Sequence, residues 1–144
     1  DEVGSRGLGD VYKRQGAMCV ALSSGTSAVM YSLINIMSQG DNFVTANQLY
    51  GGTYTMFDNI LPEYGIDSKK VDITDLAAVE NAIDDKTRAI YCETITNPGL
   101  VVADISALSE IAHSKGIPLI VDATFTTSAI LKPFEHGADI VVTH

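Results

Sequence analysis

Five short segments hold the residue types most able to do chemistry. Ser23-Ser24-Gly25-Thr26-Ser27 sets hydroxyls around a glycine directly ahead of a helical pattern. A helix N-terminus offers unpaired backbone N–H groups and a partial positive charge, which suits a phosphate. Gly25 lets the backbone come close to a ligand, and Ser24, Thr26 and Ser27 add hydroxyl donors. The same segment also makes an ordinary serine N-cap, and on these residues alone the two readings are evenly matched. No Gly-Lys-Ser/Thr follows, so an ATPase loop in its usual form is excluded. Asp122 ends the apolar run Pro118-Leu-Ile-Val. A carboxylate in that position is costly unless a cation or several donors meet it. It can ligate a metal, pair with a buried arginine or hold a cationic ring nitrogen, and a purely structural role is as good a reading. Tyr50 stands beside Gly51-Gly52, small neighbours that free a ring face to stack on a flat ligand; by itself a core tyrosine is the plainer choice. Asn97-Pro98 is usually only a turn. Here it follows Glu93-Thr-Ile-Thr, where an amide at the carboxyl end of a strand can reach a ligand.

The remaining reactive residues carry less. Cys19 and Cys92 each lie in an apolar stretch and read as buried small hydrophobes rather than a disulfide pair or a nucleophile. Neither Cys-x-x-Cys nor His-x-x-x-His spacing occurs, so no metal site is expected. His113 and His136 read as surface residues.

The frame that must position these groups is legible in the hydrophobic pattern. Ala17 to Leu22 is a short apolar run taken as a strand leading into the serine-rich turn. The spacing of Val29, Leu33, Ile36 and Met37 predicts a helix over 26–39, stopped by Gly40-Asp41. Strands are expected over 42–46, 68–73, 89–92, 118–121 and 139–143. A helix is expected over 50–61, ended by Pro62. A second, capped by Thr74 or Asp75, carries Leu76, Val79 and Ile83, and a third over 104–115 turns Ile105, Leu108, Ile111 and Ala112 inward. Strands and helices alternate, and most of the strands are continuous apolar runs. That pattern predicts an α/β fold, a mostly parallel sheet with helices on both faces. Ligands in such folds gather at the carboxyl ends of the strands, where Asp122 and Asn97 fall. Asp1 to Gln15 shows neither periodicity and reads as an irregular tail, a candidate for a foreign addition.

Composition narrows the class. The 144 residues are 46% hydrophobic and 19% charged, which argues against disorder. A net charge of −9 without a basic run argues against nucleic acid or an anionic membrane as partner. No apolar stretch approaches the ~20 residues of a membrane span, and a cytoplasmic location is expected.

Taken in order, Ser23-Ser-Gly-Thr-Ser-Ala28, Leu49-Tyr-Gly-Gly-Thr-Tyr54, Glu93-Thr-Ile-Thr-Asn-Pro-Gly99, Val121-Asp-Ala-Thr-Phe125 and Gly137-Ala-Asp-Ile-Val-Val142 resemble the Cys/Met-metabolism pyridoxal-phosphate (PLP) enzymes of fold type I. The resemblance covers residues 16–144. It implies part of the large, cofactor-binding domain of such an enzyme, without the N-terminal segment, the lysine segment or the C-terminal domain. Gly25 and Thr26 would give backbone N–H groups to the cofactor phosphate, and Tyr50 would stack on the pyridine ring. Asp122 would pair with the ring nitrogen, Asn97 would lie near the ring hydroxyl or the substrate carboxylate, and Thr124 and Glu93 would support them. The family usually has asparagine where this chain has Ala123. The Schiff-base lysine is expected beyond His144, so no catalytic residue is expected within the chain and no turnover of its own.

The Tyr-Gly-Gly and Glu-Thr-Ile-x-Asn-Pro-Gly stretches most resemble the O-acetylhomoserine sulfhydrylase branch. That implies a γ-replacement on O-acetylhomoserine with sulfide or methanethiol, giving homocysteine or methionine plus acetate, in a homodimer or homotetramer. The alternatives are a methionine or cystathionine γ-lyase or a cystathionine γ-synthase of the same family and, outside it, a nucleotide-binding α/β domain without PLP.

Overall fold

Five short segments, apolar at the centre of the sheet and polar at its β2 edge, become the strands of one sheet. The computed structural model describes residues 16–144; the expected tail over 1–15 lies outside the described residues. The strands are β1 (Asn42–Ala46), β2 (Asp67–Val71), β3 (Thr87–Glu93), β4 (Leu119–Asp122) and β5 (Ile140–Val142), in the order β2-β1-β3-β4-β5. Every pairing is parallel. The helices are α1 (Gly25–Ile34), α2 (Gly51–Thr55), α3 (Leu76–Ala82) and α4 (Ile105–Ser114). The expected α/β class, with helices on both faces, is what the chain adopts.

Parallel strands need crossovers, and these are right-handed almost without exception. The step from β1 to β2 runs one way across the sheet, and the steps from β2 to β3 and β3 to β4 run the other way. Their helices therefore cover opposite faces: α3 packs with α4, and α1 packs with α2. Between these layers β1, β3 and β4 are buried along nearly their whole length. Phe57 packs edge-on against Phe43 at 4.8 Å and against Tyr91 at 5.1 Å, an aromatic cluster under the α2 side of the sheet.

Several expectations need correction. Residues 17–22 form no strand and are exposed, with Met18 at 87% and Val20 at 77%. An apolar run becomes a strand only where a neighbour can take its backbone hydrogen bonds, and no described strand flanks this one. Cys19 is consequently exposed, whereas Cys92 is buried as expected, and both are free thiols. Pro62 does not end the second helix. The chain continues from α2 through a π turn, Met56–Ile60, into a 3-10 turn, Leu61–Tyr64, where Pro62 sits in the first turn and its missing N–H costs no bond. α1 is shorter than its pattern, because Ile36 N–H and Met37 N–H both turn back to the Leu33 carbonyl. Of Leu76, Val79 and Ile83 on one side of α3, Val79 is fully buried while Leu76 is 38% exposed. Asp75 rather than Thr74 caps α3, accepting from Ala78 N–H at 3.0 Å. No described helix is long and apolar enough to cross a membrane.

Candidate functional site

The strand order reverses between β1 and β3, and at such a point the loops leaving neighbouring strands diverge and open a crevice. A cavity of about 280 Å³ lies there, lined in part by Gly25, Thr26, Tyr50, Asn97, Asp122 and Thr124. These are all six of the cofactor-side residues singled out in the sequence, brought together from four separate segments. Thr53, Glu93, Phe125 and His144 complete much of the wall.

One end of the cavity is built from donors. Ser24 caps α1, its Oγ accepting from Ser27 N–H at 3.1 Å, and Ala28 N–H bonds the Ser24 carbonyl. The serine-cap reading therefore holds. It leaves the first two N–H groups of α1, those of Gly25 and Thr26, with no partner among the described residues. A Cβ on Gly25 would stand 2.9 Å from the His144 side chain, so glycine is what lets the helix terminus sit against this wall.

Another part of the wall carries negative charge. Asp122 ends β4, in register with Glu93 at the end of β3. Thr124 N–H donates to Asp122 Oδ1 at 2.8 Å, and the Tyr91 hydroxyl donates to Oδ2 at 3.3 Å. Thr124 Oγ1 in turn accepts from His144 N–H at 3.2 Å. Glu93 acts as a brace. Its Oε1 accepts from Tyr50 N–H at 2.8 Å and its Oε2 from Asn97 N–H at 3.2 Å. One carboxylate thus ties the loop after β1 to the turn after β3. Burial raises the Glu93 pKa, the two N–H groups pull it back, and the charge of Asp122 raises it further. The Asn97–Pro98 peptide bond is cis. The Tyr50 ring, half-exposed, lies over Gly52, where an added Cβ would meet it at 2.9 Å. Sequence reasoning foresaw small neighbours here; the second glycine is specifically the floor beneath the ring.

Tyr91, Thr53, Phe125 and His144 were not foreseen as part of this site. Tyr91 falls in an apolar strand, where a tyrosine looks like any core aromatic. Thr53 falls within the Leu49–Tyr54 segment, but a lone threonine one turn into a helix gives no signal of facing a ligand.

Unpaired N–H groups, a braced carboxylate and an accessible aromatic ring around one slot suit a flat, cationic ring bearing an anionic group. The donor set fits pyridoxal phosphate. The lysines among the described residues do not enter the slot. Lys69 pairs with Asp84, Lys70 with Asp58, Lys115 with Glu80 and Lys132 with Glu135, and neither these nor Lys86 lines the cavity. Among the described residues there is no group of three or more His, Cys, Asp or Glu side chains able to hold a metal.

Comparison with known proteins agrees with this geometry. The family model described as Cys/Met metabolism PLP-dependent enzyme matches residues 12–144. The chain is 47% identical over 130 residues to the homocysteine synthase of Schizosaccharomyces pombe, covering 88% of this chain and 30% of that protein. It is 42% identical over 140 residues to the methionine gamma-lyase of Arabidopsis thaliana, covering 96% and 31%. Among solved structures, the O-acetylhomoserine sulfhydrylase of Wolinella succinogenes superposes with a TM-score of 0.94 at 38% identity, covering 98% of this chain and 40% of that one. The chain thus spans roughly a third of the length of the curated relatives it matches.

Proposed function

The chain belongs to the family of Cys/Met-metabolism PLP-dependent enzymes, and from that premise we propose that it forms the cofactor cradle of an O-acetylhomoserine sulfhydrylase. The observation that carries this reading is the convergence of Gly25, Thr26, Tyr50, Asn97, Asp122 and Thr124 on one cavity at the carboxyl ends of the strands. The reaction is replacement of the acetate of O-acetylhomoserine by sulfide or methanethiol, yielding homocysteine or methionine.

Bound pyridoxal phosphate supplies the electron sink that accepts charge when a proton leaves the substrate α-carbon. The residues of this chain hold and tune it. Gly25 and Thr26 present their free N–H groups, at the positive end of α1, to the phosphate. Tyr50 would cover a face of the ring. Asp122 would accept a hydrogen bond from the protonated ring nitrogen and so favour the electron-accepting form of the ring. Asn97 would hold the ring hydroxyl or the substrate carboxylate, and Thr124 steadies Asp122 through its N–H. Residues 16–144 are then part of a large domain, completed by the segment that provides the lysine and by a C-terminal domain. The whole protein assembles as a homodimer or homotetramer in the cytoplasm; individually exposed apolar residues such as Met18, Val20, Leu100 and Ile130 support further chain packing against this part.

Grafting tests the function. Residues 16–144 replace the matching segment of a homocysteine synthase, and acetate and homocysteine are measured with O-acetylhomoserine and sulfide. The graft is expected to turn over, Asp122→Asn in it to lose about two orders of magnitude or more in kcat, and the 144-residue chain alone to show none. Release of ammonia and a keto acid without thiol uptake would favour the γ-lyase reading, which the likeness to a methionine gamma-lyase keeps in view. Unchanged kcat in Asp122→Asn would refute the role given to Asp122.

A further inference from the structure

We infer that Tyr91 is a positioning residue for Asp122: its buried phenol donates to one carboxylate oxygen and holds the group in the orientation that receives the ring nitrogen. The inference rests on the reading of the cavity as a PLP cradle and adds a residue to it.

Tyr91 and Glu93 are two apart on β3 and so project from the same face of the sheet. The Tyr91 side chain is completely buried, and its ring is fixed edge-on against Phe57. From that anchored ring the hydroxyl lies 3.3 Å from Asp122 Oδ2. The neighbour that follows Asp122, Ala123, is buried and offers only a methyl group. Apart from the Thr124 N–H on Oδ1, the phenol is therefore the only donor to the carboxylate among the described residues. One donor on each oxygen fixes the plane of the group, whereas one donor in total leaves it free to rotate about its Cβ–Cγ bond. Packing alone would be served by phenylalanine, since a buried hydroxyl costs free energy unless it is bonded. The direction of the bond is also settled. Burial, reinforced by the charges of Asp122 and Glu93, pushes the phenol well above its usual range, with the Thr53 hydroxyl working weakly the other way. The carboxylate oxygen accepts, so the phenol O–H donates to Asp122.

Affinities for two probes test this without turnover. The full chain is titrated with pyridoxal phosphate and with its 1-deaza analogue, whose ring carries C–H in place of the nitrogen. Tyrosine fluorescence and cofactor absorbance report binding. The parent is expected to prefer pyridoxal phosphate, and Asp122→Asn to abolish that preference. Tyr91→Phe is expected to cut the preference about three- to tenfold, less than the full value of a hydrogen bond to a charged group, with affinity for the deaza analogue unchanged. That unchanged affinity also certifies that the variant folds. If Tyr91→Phe keeps the full preference while Asp122→Asn loses it, or weakens both probes equally, the inference falls and the cradle stands. If the parent has no preference, or Asp122→Asn retains it, the cradle reading fails and the inference with it.

Discussion

At the scale of single residues, chemistry was readable where a polar group interrupts an apolar pattern and hidden where it blends into one. Asp122 stood out because a carboxylate closes a run of aliphatic residues. Tyr91, in a similar run one strand away, did not, because its hydroxyl gains meaning only when a partner from another strand is in place. The cysteines make the same point in reverse. Both occupy apolar sequence, yet Cys92 is enclosed between β1 and β4, and Cys19 has no layer over it. Burial, with the negative charges of Glu93 and Asp122 beside it, pushes the Cys92 thiol up to about 12. The thiolate is the reactive form. Titration with an aromatic disulfide reagent at pH 8 is therefore expected to modify one thiol in the native chain, Cys19, and two in denaturant. Rapid modification of both in the native chain would contradict the enclosed position of Cys92.

At the scale of elements, the strands were predicted within one or two residues: β3 and β4, covered on both faces, are written as apolar runs, whereas the edge strand β2 keeps Lys69 and Lys70 partly exposed. The failures came where one apolar run has two possible fates. Residues 17–22 look like a strand and lack a partner; residues 50–61 look like one regular helix and become α2 followed by π and 3-10 turns. That irregular helix starts at the cavity, and its first turn carries both Tyr50 and the glycine beneath the Tyr50 ring. Gly52→Ala would help an isolated helix, by roughly 0.5–1 kcal/mol. Here the methyl must displace the ring. The variant is expected to melt within a few degrees of the parent and to bind pyridoxal phosphate several-fold more weakly, as read by absorbance. Undiminished affinity would show that the ring position does not matter to the site.

At the scale of the whole molecule, the two ends of the sheet are chemically unlike. The amino ends of the strands border the larger groove, of about 680 Å³, lined in part by Asp84, Arg88 and Lys115. Its charged groups face acids and amides of the chain itself: Arg88 pairs with Asp41 at 3.0 Å and Lys115 with Glu80 at 3.0 Å. The carboxyl ends hold the smaller cavity, with free N–H groups, a braced carboxylate and an exposed ring. Size favours the first and chemistry the second, and in open α/β sheets ligands bind beyond the carboxyl ends. Backbone amide shifts recorded while pyridoxal phosphate is added to the isotope-labelled chain separate the two ends directly. The account predicts saturable shifts at Gly25, Thr26, Tyr50, Asn97, Asp122 and Thr124, with Asp84, Arg88 and Lys115 unmoved. Shifts centred on the Asp84–Lys115 groove, or none at the six, would contradict it.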